Sequence, residues 1–258
     1  MQKDKRIACI PDLKDFRDEG YLFSLISKPI VIPPQSHNRL LDCPVWDQGN
    51  EGSCTGFGVD DAVEQWIKRN HQDEFVHLSA KFTYFNARLI GGTTKEDSGA
   101  SIRDSVKGAS KYGLVADVVC PYVAGDYLEV PDKSVYDKGK KWLIKSYHRV
   151  RGVEQIRAAI AQGYVVVGGW TLYDNFMRIG SDGILGWPSD SDSVAGNHCM
   201  KVEDYNDTEQ LPESASGVIT CLNSWSKLWG DKGRVHMSYD YCEKCGNDFW
   251  AILLVLGF

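Results

Sequence analysis

The 258-residue sequence predicts an α+β protein built as two lobes. Apolar residues recur at helical spacing through much of the first half, whereas the second half holds mostly short apolar runs bounded by turn residues. Pro121 and Pro131 mark the change between these two patterns. Helices followed by strands are typical of an α+β fold, and the hydrophobic fraction of 43% is enough for a sizeable core in one or two domains.

Three helices are predicted before Pro121. The first runs from about Ser53 to Asn70. Its inner face is predicted to hold Phe57, Ala62, Val63, Trp66 and Ile67. Ser79 is a candidate cap for a second helix that reaches Leu89, before two glycines interrupt the chain. A third begins in a capping-box-like Ser-x-x-Asp pattern at Ser101 and ends at Gly113.

One further helix, Val153 to Gln162, is predicted beyond Pro131, and the remaining apolar runs are predicted to be strands. The predicted strands are Tyr164–Gly168, Met200–Tyr205, Val218–Leu222, Arg234–Met237 and Trp250–Leu256. Cys242 and Cys245 precede the last of them, and a turn is the favoured interpretation of this pair. A metal site there would need two more ligands, and no second Cys-x-x-Cys follows.

The start of the first helix carries the strongest chemical signal. Gln48 stands six residues before Cys54, with glycines and a serine between them. A thiol at a helix N-terminus meets unpaired backbone N–H groups and the positive end of the helix dipole, which favour the thiolate. A glutamine upstream can turn its side-chain NH₂ toward the site where a substrate oxyanion would form. A small buried hydrophobe is the alternative for Cys54, unless a base and an orienting group occur elsewhere.

Candidates for both groups follow in the sequence. Of the six histidines, only His198 lies in a Gly-x-His setting and leads into an apolar run. A second apolar run ends in Asn223-Ser224-Trp225, and Trp229-Gly230 follows. These four motifs, in this order from about Pro44 onward, resemble those of the papain-like cysteine peptidases.

The resemblance implies a papain-like two-lobed fold, with a helical lobe, a strand-rich, barrel-like lobe and the active-site cleft between them. It implies that Cys54 is the nucleophile, that His198 is its general base, and that the pair rests largely as thiolate and imidazolium. Asn223 would orient the imidazole, and Trp225 would shield that hydrogen bond from water. Gln48 and the backbone N–H of Cys54 would form the oxyanion hole. No cofactor and no metal are implied.

The same resemblance implies a groove for an extended peptide or protein substrate. One wall would be the glycine-containing loop at Gly99 and Ala100. A pocket for the second residue upstream of the scissile bond would be lined by Gly168, Gly169 and Asn197. The two strand glycines fit a roomy pocket and tight strand packing equally well.

Four positions depart from the common family pattern. Thr55-Gly56 replaces a bulky aromatic residue and an alanine, which lightens packing at the helix start. Ser226 and Asp204 stand where glycines are common. None of the four removes a reacting group, so they bear on the shape of the cleft.

Residues 1–43 are predicted to form an N-terminal strap or short leader, followed by a catalytic domain over residues 44–258. The helical lobe would end at about residue 125, and the strand-rich lobe would follow. Prolines favour extended pieces at Ile10–Leu13, Tyr21–Phe23 and Ile30–Pro33. A strap that packs across both lobes and stays in place is favoured over one that lies in the cleft and inhibits the enzyme, and both alternatives stay open.

Composition excludes several classes of function. A net charge of −6 disfavours nucleic-acid binding, which needs clustered lysine and arginine. No apolar run approaches the ~20 residues that cross a bilayer, and the charged start has no apolar segment typical of a secretory signal. Secreted relatives often carry a cysteine three residues before the nucleophile, bridged to the glycine-containing loop. Glu51 holds that position here, and the loop at residues 96–100 has no cysteine. A reducing, cytoplasmic location is therefore expected, with later release left open.

Two hypotheses about function follow. The first is a cysteine peptidase, most simply an endopeptidase, that forms an acyl-thioester on Cys54; exopeptidases and amide-bond transferases would share these motifs. The second is a papain-like fold that acts as a binding or structural protein with a blocked cleft. A metal-binding module at Cys242 and Cys245 is a weaker third idea.

Overall fold

The computed structural model describes residues 6–21, 30–139, 142–212 and 214–256. The predicted α+β class is confirmed, with a helical layer near the N-terminus and a mixed sheet that begins after residue 141. No helix in the described ranges is long and apolar enough to span a membrane. Of the predicted extended piece Tyr21–Phe23, only Tyr21 lies within these ranges. Tyr21 is the last residue of a 3₁₀ helix that begins at Phe16.

Two helices of the described ranges begin at the serine caps that the sequence predicts. The α-helices of these ranges are α1 (Cys54–Asn70), α2 (Ala80–Gly91), α3 (Ile102–Tyr112), α4 (Lys133–Lys138), α5 (Gly152–Ala161) and α6 (Tyr239–Cys245). The hydroxyl oxygen of Ser79 accepts from the Phe82 N–H at 3.2 Å, and that of Ser101 accepts from the Asp104 N–H at 3.0 Å. Gly113 ends α3 at φ 78°, a left-handed conformation that favours glycine.

In the described residues, the sheet has seven strands in the order β1-β7-β2-β4-β5-β6-β3. The strands are β1 (Trp142–Val150), β2 (Val165–Tyr173), β3 (Ile184–Leu185), β4 (Val194–Asn206), β5 (Val218–Leu222), β6 (Arg234–Ser238) and β7 (Gly246–Leu256). All neighbours pair antiparallel except β3 and β6, which are parallel.

The sheet separates two apolar clusters. On one face, Val167 and Trp250 pack with Val59 of α1 and Val106 of α3. On the other face, Trp170 and Phe249 lie in a cluster with Ile156 of α5 and Tyr241 of α6. Because alternate strand residues point to opposite faces, both faces of β2 and β7 are apolar. This central sheet gives α1 a rigid surface, and α1 carries Cys54 at its first residue.

Some strands are longer than predicted, and some observed elements were not predicted. Strand β5 has the predicted bounds, whereas β2 and β4 extend further, so that His198 lies inside β4. Strand β1 and the short helices α4 and α6 were not predicted; Cys242 and Cys245 lie on α6, where a turn was expected. The predicted boundaries of the leader and of the two lobes stay predictions.

Candidate active site

Cys54 is fully buried at the N-terminus of α1. Its sulfur is faced by the backbone N–H groups of Thr55 and of Cys54 itself, as a helix start provides, and by those of Cys199 and Ala8. Burial nevertheless raises the pKa of the Cys54 thiol to about 11, against the lowering by these N–H groups. Cys199 belongs to β4, the strand that carries His198.

His198 and Asn223 form the predicted hydrogen-bonded pair. His198 Nε2 lies 2.8 Å from Asn223 Oδ1, and that oxygen also accepts from the Ser224 N–H at 2.8 Å. Burial lowers the pKa of His198 to about 4, although the bond to Asn223 acts in the opposite direction. A neutral imidazole that donates through Nε2 keeps a lone pair on Nδ1, which has no hydrogen-bond partner among the described residues.

These pKa values differ from the expected resting state. Both shifts favour a thiol and a neutral imidazole in the covered pair, whereas the family resemblance implied a thiolate and an imidazolium. The physical reason is that neither group contacts water: Cys54 and His198 each have 0% relative exposure. Charge separation is costly in such a site unless the ions are hydrogen-bonded to each other.

Aromatic rings enclose the His198–Asn223 pair. The Trp225 ring lies 5.1 Å from the His198 ring, and Phe176 lies 5.2 Å from Trp225. Trp229 contacts both Phe176 and Trp225. Trp225 therefore lies where the sequence predicts it, as an apolar cover that excludes water from the hydrogen bond.

Gln48 is fully buried close to Glu51, in the loop that leads to Cys54, and hydrogen bonds fix the orientation of its side-chain amide. Ser224 Oγ donates to Gln48 Oε1 at 2.6 Å, so that Nε2 faces the other way. Nε2 donates to the carbonyl of Glu51 at 2.8 Å and to that of Arg6 at 3.2 Å. Ser224 has no predicted role, although it lies inside the Asn-Ser-Trp motif, and here it positions the Gln48 donor.

Residues 6–12, which we call the cleft strand, run through the site. Ala8 presents its N–H to the Cys54 sulfur, and the Cys9 N–H donates to the carbonyl of Asn197 at 2.8 Å. The Ile10 N–H donates to the carbonyl of Ala100 at 2.9 Å. The cleft strand therefore contacts both the helical wall and the sheet wall. That it inhibits the enzyme stays a prediction.

A family model described as "Papain family cysteine protease" matches residues 36–252. The chain belongs to the papain family of cysteine proteases. Membership makes it a cysteine peptidase, a hydrolase of peptide bonds, and confirms the papain-like fold expected from the sequence.

Individual proteins similar to this chain are also described as cysteine proteases or as peptidase C1-like. An uncharacterized peptidase C1-like protein of Acanthamoeba polyphaga mimivirus is 27% identical over 239 residues, which cover 87% of this chain and 72% of that protein. The crystal structure of xylellain, a cysteine protease from Xylella fastidiosa, superposes with a TM-score of 0.84 at 26% identity, covering 98% of this chain and 97% of that one. The proform of Amb a 11, a ragweed pollen cysteine protease, has a TM-score of 0.70 at 21% identity, covering 90% and 69%.

The positions predicted to bind substrate divide into two groups. Gly99, Ala100 and Asn197 all contact the cleft strand; a Cβ on Gly99 would lie 1.8 Å from the Ala8 carbonyl oxygen. Gly168 instead reflects tight packing, since a Cβ there would lie 2.4 Å from the Trp170 ring. Gly169 faces Asn247 and a side chain of α3, and lies opposite Asp248 in the sheet.

The departures from the papain-family pattern have local explanations. Ser226 adopts φ 64°, the left-handed conformation that a glycine would adopt there. Asp204 accepts hydrogen bonds from Ser36 Oγ and from the N–H groups of Asn38 and Arg39, which anchors the end of the leader to β4. Gly56 allows close approach of α1 and α2, because a Cβ there would lie 2.8 Å from the Ala80 carbonyl oxygen.

The cysteines outside the site are buried free thiols. Cys242 and Cys245 lie in the same buried apolar cluster as Trp170 and Tyr241. Across the described ranges, no group of three or more histidine, cysteine or acidic side chains is arranged to hold a metal ion.

Proposed function

We propose that this papain-family peptidase is an endopeptidase in a latent state, held inactive by its own cleft strand. One observation carries the proposal: a peptide backbone already occupies the reaction site. The Arg6 carbonyl accepts from Gln48 Nε2, and the Ala8 N–H faces the Cys54 sulfur. A substrate cannot use these donors while the cleft strand is bound to them.

In the open enzyme, His198 Nδ1 takes the thiol proton as the Cys54 sulfur attacks the carbonyl carbon of the scissile bond. The negative oxygen that forms is stabilised by Gln48 Nε2 and the Cys54 N–H. Asn223 Oδ1 holds the imidazolium through Nε2. The amine leaves with the proton from His198, and water then hydrolyses the acyl-thioester with His198 as base.

The cleft strand is a poor substrate for geometric and electrostatic reasons. Its Ala8 N–H faces the Cys54 sulfur, in the space where a substrate would have to approach. It also buries Cys54 and His198, which favours the unreactive thiol and neutral imidazole. The proform of Amb a 11 among the structural relatives is consistent with latency of this kind.

Labelling with a peptidyl epoxide that alkylates activated thiols tests the proposal. We expect slow labelling of the wild-type protein. Asp12→Ala should be labelled fast, because it loses a side chain that holds the cleft strand in place. No adduct should form on Cys54→Ala, and His198→Ala should react much more slowly. Asp15→Ala is the matched control, because Asp15 lies in the same segment but pairs with Arg17 within it.

The second hypothesis, a binding protein with a permanently blocked cleft, rests on the complete burial of Cys54 and His198. The same experiment separates the two. If folded Asp12→Ala protein gives no Cys54 adduct and cleaves no peptide, the endopeptidase proposal is wrong and the blocked-cleft protein is favoured.

A further inference from the structure

The side chain of Asp12 lies in a carboxylate-binding cradle made by three elements. Asp12 Oδ1 accepts from the backbone N–H of Arg103 at 3.1 Å, in the first turn of α3. Asp12 Oδ2 accepts from Arg149 Nη1 of β1 at 2.6 Å and from Trp250 Nε1 of β7 at 2.8 Å. We define the cradle by these three donors. A helix N-terminus, a guanidinium and an indole N–H all favour an anion.

The cradle is buried and rigid. The Asp12 side chain is 1% exposed and that of Arg149 is 14% exposed. The Arg149 guanidinium lies over the Trp250 ring at 5.3 Å, and the Arg103 guanidinium lies over the same ring at 5.8 Å. Donors fixed by packing in this way lose little conformational entropy when an anion binds.

Two carboxylates share the Arg149 guanidinium in the covered state. Arg149 also pairs with Asp248, and Asp248 Oδ2 accepts from the Asp12 N–H at 2.8 Å. Burial raises the pKa of Asp248, and the nearby charge of Asp12 raises it further. Asp12 is therefore held twice: Asp248 accepts from its main-chain N–H, and the cradle binds its carboxylate.

The cradle adjoins the substrate groove. The Ile10 N–H pairs with the Ala100 carbonyl, and Asp12 follows two residues later in the same extended segment. On the other side, Asp248 lies opposite Gly169, one of the positions predicted to line the upstream pocket. The cradle is thus at the upstream end of the groove, within reach of a peptide that replaces the cleft strand.

Departure of the cleft strand removes the Asp12 acceptor from the Trp250 indole, the Arg103 N–H and Arg149 Nη1, while Arg149 Nη2 keeps Asp248. A buried indole N–H that loses its partner carries a desolvation cost, and Arg149 Nη1 is free to donate to a new carboxylate. An incoming acidic side chain restores these bonds, whereas an amide isostere restores fewer and adds no charge. We propose that the cradle is a specificity subsite, which selects peptides with aspartate or glutamate two or three residues upstream of the scissile bond.

This inference rests on the proposed peptidase function. The full-length Asp12→Ala variant, in which the cradle is empty, is assayed with pairs of fluorogenic peptides that carry glutamate or glutamine at the second or third upstream residue. We expect kcat/KM to favour glutamate at one of these positions by about tenfold or more, the effect of a charge-assisted hydrogen bond. The preference should weaken as ionic strength rises.

Variants of the cradle test its role directly. In the Asp12→Ala background, Arg149→Met and Trp250→Phe should each lower the glutamate-to-glutamine ratio of kcat/KM, and Arg149→Lys should keep part of it. Arg178→Gln, which removes an exposed arginine remote from the cradle, should leave the ratio unchanged. Thermal unfolding of each variant identifies any change that merely unfolds the protein, and Trp250→Phe keeps an aromatic ring, although a smaller one, at the buried position.

Two outcomes are distinguishable. If glutamine peptides are cleaved through Cys54 and glutamate gives no advantage at either position, the cradle only anchors the cleft strand and this inference is wrong. If no peptide is cleaved, the proposed function fails. Binding of the same peptides to the Cys54→Ala, Asp12→Ala double variant, measured by fluorescence polarisation, then still tests whether the cradle prefers glutamate.

Discussion

At Cys54, two opposing effects act on one sulfur atom. The N–H groups at the start of α1 favour the thiolate, and burial under the cleft strand favours the thiol. Burial prevails and also keeps His198 neutral. Cys54 and His198 can therefore be inert when covered and reactive when open, without any change in the hydrogen bond between His198 and Asn223.

The ionisation of the covered pair is the first testable consequence. In full-length protein, the thiolate absorbance that Cys54→Ala removes should appear only as the pH approaches about 11. The His198 imidazole should stay neutral until the pH falls to about 4, as followed by NMR. In Asp12→Ala, the thiolate should appear at lower pH. Thiolate at neutral pH in the full-length protein would contradict a covered site.

Gln48 offers a second prediction at this scale. In the Asp12→Ala background, Gln48→Ala should lower kcat about 10²- to 10³-fold, because one donor to the oxyanion is lost. Gln72→Ala, at an exposed position remote from the site, is the control. A Gln48→Ala enzyme with unchanged steady-state kinetics would remove Gln48 from the oxyanion hole.

Among the elements, those with local signals are the ones that the sequence predicts. Ser79 and Ser101 cap their helices as expected, because a cap depends on residues three positions apart. Strand β1 lacks a clear alternation of apolar and polar residues, and it is a strand because β7 pairs with it. Helices α4 and α6, with six and seven residues, are too short for a periodic signal.

Some parts of the candidate site could be predicted from the sequence, and others could not. Motif residues such as His198 and Asn223 could be predicted because the resemblance places them together. The cleft strand could not, since its contacts join residues far apart, as in the bond between Trp250 and Asp12 over 238 positions. Only tertiary structure determines that Ala8 faces Cys54.

Strand β4 carries a buried ionic cluster that should stabilise the sheet. Glu203, at a bulge against β5, pairs with Lys201 at 3.2 Å and with Arg234 of β6 at 2.5 Å. Glu203→Gln should lower the free energy of unfolding by about 3–5 kcal/mol, because two buried cations lose their counter-charge.

Chemical denaturation measures this effect. Glu129→Gln, which breaks the pair of an exposed glutamate with Lys81, should change stability by less than about 1 kcal/mol. Burial would raise the pKa of Glu203, but Lys201 and Arg234 hold it below its usual range. The contribution of Glu203 is therefore present at neutral pH and lost as the pH falls through its folded pKa. A Glu203→Gln protein as stable as wild type would contradict this role.

For the whole molecule, residues 6–21 and 30–39 contact the rest of the described chain at several separate places. Arg6 pairs with Asp97 at one end of the cleft strand, and Asp12 occupies the cradle at the other. Further along, Arg103 binds Asp18, and Asp204 holds residues 36–39. Such distributed anchoring predicts that latency is lost in steps, with the Asp12 contact closest to the upstream groove.

The most direct test is the turnover of a short fluorogenic peptide by three proteins: the wild type, the Asp12→Ala variant and the double variant that carries both Asp12→Ala and Cys54→Ala. Loss of the Asp12 hydrogen bonds should raise kcat/KM at least about tenfold over full-length protein, and Cys54→Ala should abolish the activity. Asp15→Ala should stay close to wild type. Equal turnover by wild type and Asp12→Ala, or turnover that survives loss of Cys54, would contradict a cysteine peptidase held latent by its own cleft strand.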